Sequence, residues 1–358
     1  MIPAFVRRFR FIGILTIAAV YLLILVGGVV RSTGSGMGCP DWPKCFGTWI
    51  PPIHISQLPS DYKEIYTAQR VAKNKRLAAT LERFGFKQVA GDIFAHPTQY
   101  IETDFNVTKT WIEYLNRLLG ALIGVFVFLT VIFAVPYWRR DKTVFWLAFG
   151  GFILVGVQGW LGSLVVSTNL LPIMVTIHMG LALVIVAMLL YAVDRSQQST
   201  EQAEAIPFSP VLTAGLWIMV LLTFGQIVLG TQVREEVDLV ASTMNYGNRA
   251  GWIEQLGGIF KVHRTFSLLL LLLNVYLAYQ LYRLPSKRLH KLTTAVLGFL
   301  GLEILAGIVL AYFALPAAMQ PVHLTVATLL FGGQFLVLVA YHRMAKSVAK
   351  PTYPHVVA

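Results

Sequence analysis

The sequence repeats one arrangement of side chains that could ligate a metal-bearing group. A polar residue stands beside an arginine at the head of an apolar run, and a histidine answers it at the head of a later run. In the second half this reads Phe260-Lys261-Val262-His263-Arg264, followed by Gln320-Pro321-Val322-His323. In the first half it reads Glu113-Tyr114-Leu115-Asn116-Arg117, followed by Thr176-Ile177-His178. The step is 60 residues from His263 to His323 and 62 from Asn116 to His178. Imidazoles at the ends of packed helices are what a bundle offers to a haem iron. His263 and His323 on opposite faces of one iron leave no open position, which suits electron transfer. Arg234 and Arg264, at the same level, supply charge-assisted donors for propionates. In the first half the amide nitrogen of Asn116 has no lone pair to give. His178 alone then leaves one haem face open, with Glu113 one turn from Asn116 to position water or accept a proton. One half reacts and the other relays electrons. The plainer readings are a carboxylate that favours a helix N-terminus and His–Arg pairs that anchor helix heads at an interface; the duplicated spacing favours ligation.

These residues must be held by membrane helices. Of 358 residues 56% are hydrophobic and 13% charged, too apolar for an ordinary soluble enzyme. Eight runs reach the roughly 20 residues a bilayer crossing needs: 11–30, 113–136, 143–166, 173–194, 211–230, 260–282, 293–314 and 321–341. Backbone groups in lipid must be satisfied within the segment, and the alternation of a barrel strand is missing, so the fold class is an all-α polytopic membrane protein. Arg7, Arg8 and Arg10, then Arg139, Arg140 and Lys142, then Arg283, Lys287, Arg288 and Lys291, then Arg343, Lys346 and Lys350 all fall on one side of an eight-helix path. The positive-inside rule places both termini in the cytoplasm of a cell inner membrane and the histidines toward the extracytoplasmic side. The net charge of +12 is a topology signal, and no nucleic-acid partner is expected. The N-terminus lacks a small-residue cleavage site, so the first run reads as a retained helix.

The second half replays the first. Gly230 to Arg234 matches Gly27 to Arg31, and the offset that superposes His323 on His178 superposes Glu303 on Gln158. The expected organisation is two pseudo-symmetric four-helix bundles, residues 1–196 and 207–358, joined by a cytoplasmic linker at 197–206. The first carries a long outer loop, 32–110. Its residues Cys39 and Cys45 are the only cysteines, close enough in sequence for a loop-stapling disulfide, a redox-active dithiol or, more weakly, metal binding. After Asp61, basic residues with Ala and Leu at helical intervals predict a solvated helix capping the bundle. His54 and His96 read as surface residues.

The stretch Gly27 to Cys39 (Gly-Gly-Val-Val-Arg-Ser-Thr-Gly-Ser-Gly-Met-Gly-Cys), the Glu113–Arg117 frame, Thr-Ile-His-x-Gly-Leu-Ala at His178 and the two C-terminal histidines together resemble the haem A synthase family. The resemblance covers nearly the whole chain. It implies oxidation of the C8 methyl of haem O to a formyl group, with His263 and His323 holding a haem b cofactor through its iron and electrons leaving through it. It implies that Arg31, Asn116, Arg117 and His178 face the substrate haem, with His178 as the candidate ligand of its iron. It also implies that Glu113 matters for turnover and that Cys39 and Cys45 can form a disulfide. Its partners would be haem O, haem O synthase, haem–copper oxidase assembly proteins, membrane lipids and a second copy in a homo-oligomer. Asn116 departs from the histidine expected there. The rival classes are a dihaem electron-transfer protein of the cytochrome b type, which would want histidine pairs in both halves, and a non-catalytic haem carrier, in which Glu113 would be replaceable.

Overall fold

A computed structural model describes residues 2–95, 101–197, 205–244 and 246–348. Eight of its helices are long and apolar enough to cross a bilayer, so the chain is a multi-pass membrane protein. They are α1 (Ala4–Ser32), α4 (Val107–Ala134), α5 (Lys142–Ser167), α6 (Pro172–Arg195), α7 (Pro210–Thr243), α8 (Gly258–Tyr282), α9 (Lys287–Tyr312) and α10 (Met319–Val348). Two outer helices, α2 (Tyr62–Arg83) and α3 (Lys87–Asp92), fall in the loop between α1 and α4. No strand occurs among the described residues.

The starts of these helices are written in the sequence. Asn106, Asp141, Ser209 and Ser286 each accept a backbone N–H of the first turn, of Lys109, Thr143, Leu212 and Leu289 respectively. Pro172 and Pro210 occupy first-turn positions, where the missing N–H costs nothing. One departure matters later: α7 runs to Thr243, thirteen residues past the end of its apolar run at 230.

Packing follows the same order in both groups of four helices. Helix α1 packs on α4, α4 on α5, α5 on α6, and α6 returns to α1; α7, α8, α9 and α10 close a second ring likewise. The groups meet where α1 and α6 touch α10 and where α6 touches α7. One apolar core gathers Phe9, Ile123, Val127, Val144, Val186 and Leu189, and the other Leu216, Leu277, Leu289, Val337, Leu338 and Tyr341. The seam between groups is tight. A Cβ at Gly28 would stand 2.8 Å from Cβ of Pro321, so glycine sets the approach of α1 to α10. At the arginine-rich ends, buried Asp194 accepts from Arg288 and, at 3.4 Å, from Arg343, tying α6 to α9 and α10.

The expected outer helix is α2. It lies over α5, with Lys73 Nζ donating to Ser163 O at 3.1 Å and Asn74 Nδ2 to Ser167 O at 2.8 Å. Ala78, Ala90 and Ile93 close a small apolar cluster with Leu171 and Met174 of the α5–α6 turn and of α6. Arg70 and Glu102 form a 2.5 Å ion pair, each side chain 2% exposed. Burial pushes the Glu102 carboxyl up, and the Arg70 guanidinium opposes it. His54 is exposed, as expected; His96 and most of the linker, 198–204, lie outside the described residues.

Candidate functional site

The C-terminal histidines come together. His263 sits in the second turn of α8 and His323 in the second turn of α10, with ring centroids 6.4 Å apart and ring planes at 74°. An iron bound to one nitrogen of each ring, with metal–nitrogen bonds of about 2 Å, sets the centroids about 6 Å apart. The separation therefore fits a shared metal. Nδ1 of His263 is buried without a hydrogen-bond partner. Nδ1 of His323 lies 3.0 Å from Glu303 Oε1 of α9, but off the line a hydrogen bond needs. Two half-buried imidazoles that face each other, each with a buried Nδ1 that no hydrogen bond satisfies, are a donor set that can take a third group.

Around them stand the arginines. Arg234 of α7 and Arg31 of α1 converge on one carboxylate, Asp238, at 2.7 and 3.1 Å. Arg234 also donates to Gln320 Oε1. The Nε atoms of Arg31 and Arg234 are both buried and unpartnered, so the cluster has donors to spare. Arg264 is not part of it: it is exposed, its guanidinium 5.8 Å over the Phe260 ring. Asp238 escaped the sequence reading because it lies on the part of α7 that continues beyond the apolar run.

In the first half, Glu113 and Arg117 are wired to the disulfide loop. Cys39 and Cys45 are bonded, Cα atoms 4.9 Å apart. The Cys39 N–H donates to Glu113 Oε2 at 2.8 Å, and Arg117 donates to Glu113 Oε1. Arg117 also donates to the carbonyls of Cys39 (2.9 Å), Asp41 (2.6 Å) and Lys44 (3.1 Å). Thr110 Oγ1 donates to Gly38 O at 2.8 Å. Gly38 has to be glycine, because a Cβ there would stand 2.4 Å from Lys109 O. The loop is thus pinned across the first three turns of α4, by Thr110 and by the two side chains, Glu113 and Arg117, that the sequence placed at the substrate site. Buried Glu113 has both carboxylate oxygens engaged, and Arg117 spends its donors on loop carbonyls.

His178 and Asn116 differ from the other pair. Nδ1 of His178 and Oδ1 of Asn116 are both buried and unpartnered. The His178 carbonyl accepts from Gln158 Nε2 at 2.9 Å, and Thr176 Oγ1 meets Thr231 Oγ1 at 2.7 Å across α6 and α7. In the other half, Gln226 Nε2 donates to the His263 carbonyl at 2.8 Å. Sequence reasoning missed Gln226, although a lone amide in the apolar run of a membrane helix is a signal in itself. No cluster of three or more His, Cys, Asp or Glu positioned for a bare metal ion occurs among the described residues.

A family model described as cytochrome oxidase assembly protein (COX15-CtaA) matches residues 10–335. Among curated proteins, the chain is similar to a heme A synthase of Bradyrhizobium sp. (strain ORS 278), 27% identical over 93% of this chain and 90% of the relative. It is similar to the heme A synthase of Shewanella oneidensis, 23% identical over 86% of this chain and 89% of the relative. It also resembles that of Nitrosomonas eutropha, 30% identical over 57% of this chain and 54% of the relative.

Proposed function

Because the chain belongs to the COX15-CtaA family of cytochrome oxidase assembly proteins, we propose that it is a haem A synthase, an oxidoreductase that converts the C8 methyl of haem O to a formyl group. Methyl to formyl is a four-electron oxidation that takes up one oxygen atom, so the site must admit the methyl and dispose of electrons and protons. The observation that carries the reading is the asymmetry between halves: a histidine pair 6.4 Å apart in one, and in the other a single histidine with an asparagine at the position matching the second.

On this reading His263 and His323 hold a haem b, and Arg234, rather than the outward-facing Arg264, receives its propionates. When bound, that haem supplies a one-electron relay away from the substrate. His178 holds haem O from one side, and Asn116 lines the other face without ligating it. Arg31, with its spare Nε donor, and Arg117 are the cations on the substrate side. Glu113 remains the residue on which turnover depends. The sequence gives it acid–base work, and its hydrogen bonds add the task of holding the Cys39 loop against α4. Both termini face the cytoplasm and both sites open toward the extracytoplasmic side, where haem O synthase and oxidase assembly proteins would meet the chain.

The test is extraction and mass analysis of haem from cells given haem O and expressing the full chain or His263→Ala. Haem A with the wild type alone supports the synthase and its relay. Unconverted haem O beside an intact bound haem b overturns the synthase in favour of an electron-transfer protein or carrier.

A further inference from the structure

Each histidine of the two sites is met by the same small device on the neighbouring helix. An amide or carboxylate side chain reaches the histidine, and a glycine four residues later lies under the edge of its ring. On α5 the device is Gln158 and Gly162, serving His178; on α7 it is Gln226 and Gly230, serving His263; on α9 it is Glu303 and Gly307, serving His323. A Cβ at Gly162, Gly230 or Gly307 would lie 3.7, 3.4 or 3.6 Å from Cε1 of the respective ring. The rings therefore pack on bare backbone, and any side chain larger than a methyl would push them out.

The fourth position shows what the device is for. The offset that superposes Arg234 on Arg31 puts Leu23 at the place of Gln226 and Gly27 at that of Gly230. The residue they would serve, the counterpart of His263, is Asn116. Here the polar reach is gone, Leu23 packs into the apolar core, and a Cβ at Gly27 would meet nothing within 4 Å. The polar side chain, amide or carboxylate, is present where there is an imidazole and absent where there is none. Helix packing alone gives no reason for that match, since α1 and α4 pack as closely as their counterparts.

We propose, resting on the haem reading above, that Gln226 and Glu303 are positioning residues of the cofactor haem. Gln226 fixes the depth and rotation of His263 by gripping its carbonyl. Glu303 sits at the Nδ1 edge of His323 and sets its donor strength, as a carboxylate behind a ligating histidine does. Gln158 does for His178 what Gln226 does for His263, by the same carbonyl contact. The two sites then differ in tuning as well as in ligand number: a carboxylate stands behind one cofactor ligand, while amides hold the others.

The substitutions that test this are those the other half already uses, Glu303→Gln (after Gln158) and Gln226→Leu (after Leu23). Each is made in the full chain, purified in detergent, and read by redox titration and by electron paramagnetic resonance of the ferric haem. Glu303→Gln is expected to raise the midpoint potential with haem content unchanged, because a negative charge that favours the ferric state has gone; Glu303→Asp returns it toward the wild-type value. Gln226→Leu is expected to shift the low-spin g-values, which report ring orientation, and to speed haem loss to apomyoglobin severalfold. Unaltered potential and g-values in both variants, with only the melting temperature lowered, would reduce these contacts to interhelical glue and overturn the proposal. If one variant does not fold, the other decides alone. A wild-type chain that purifies with no low-spin haem fails the haem reading instead, and that outcome is visible before any variant is made.

Discussion

The two halves use the same helix order and carry the same Gly-x-x-x-Arg step on their first helices, yet differ at the point where they would hold a haem. In the second half two imidazoles face each other, close enough to share one iron. In the first, the corresponding helix carries Asn116, and the residues on either side of it, Glu113 and Arg117, hold a disulfide loop. On the proposed reading, one group of helices keeps an electron-relay geometry and the other is open. The difference would then mean that the helices set the depth of the site, while a single side chain and a loop decide whether it reacts.

The largest expected effect separates the halves outright. His323→Ala removes half of the cofactor ligand set, and we expect haem b content to fall to background and haem A to vanish. His178→Ala is expected to leave haem b in place while abolishing haem A. Pyridine haemochrome spectra of the purified variants, set beside extracted haems, check both. Equal loss of haem b in the two variants would erase the division of labour.

Next in size is Glu113→Ala. It strips the buried Cys39 N–H and the Arg117 guanidinium of their carboxylate, and breaking such a buried charged contact costs about 3–5 kcal/mol locally. We expect haem A to fall by more than tenfold and the Cys39–Cys45 disulfide to be reduced faster by dithiothreitol, with haem b retained. Lost turnover with unchanged reduction kinetics would return Glu113 to purely acid–base work.

Much of this comparison could be read before any coordinates. Hydropathy located all eight membrane helices, because lipid allows few solutions for a spanning backbone. The shared spacing of Gly27–Arg31 and Gly230–Arg234 suggested a repeat, and both groups of four helices pack in the same order. What could not be read were contacts made at a distance in sequence. Nothing near Glu113 announces that Cys39, seventy-four residues earlier, donates to it. Asp238 was hidden for another reason: hydropathy marks where the apolar run of α7 ends, and the helix does not end there. Arg264 misled because adjacency to His263 in sequence is about 100° of rotation on a helix, enough to turn it outward.

Asn116→His sharpens the comparison by removing its cause. A Cβ at Gly27 would have open space around it, so a ring entering from α4 has room. We expect the substrate haem to become six-coordinate and low-spin, seen as a second low-spin signal, and haem A formation to slow. An unaltered spectrum would mean that position 116 does not face the iron, and the open face would need another explanation.

The smallest effect is expected at a carboxylate that pairs with one arginine from each half. Asp238 accepts from Arg31 and Arg234, the cations read as serving the substrate and the cofactor respectively. Its side chain is 45% exposed, so as a plain salt bridge it is worth less than about 1 kcal/mol. Asp238→Asn should therefore leave the melting temperature nearly unchanged. It also frees two guanidiniums that would otherwise be shared with a resident carboxylate. If those guanidiniums hold propionates, both haems should be released to apomyoglobin more slowly in the variant, by about twofold for a contact of this strength. Slower release on one side alone would assign the cluster to that haem. Faster release of both would make Asp238 a clasp between α1 and α7, with the arginines working for the seam rather than for either ligand.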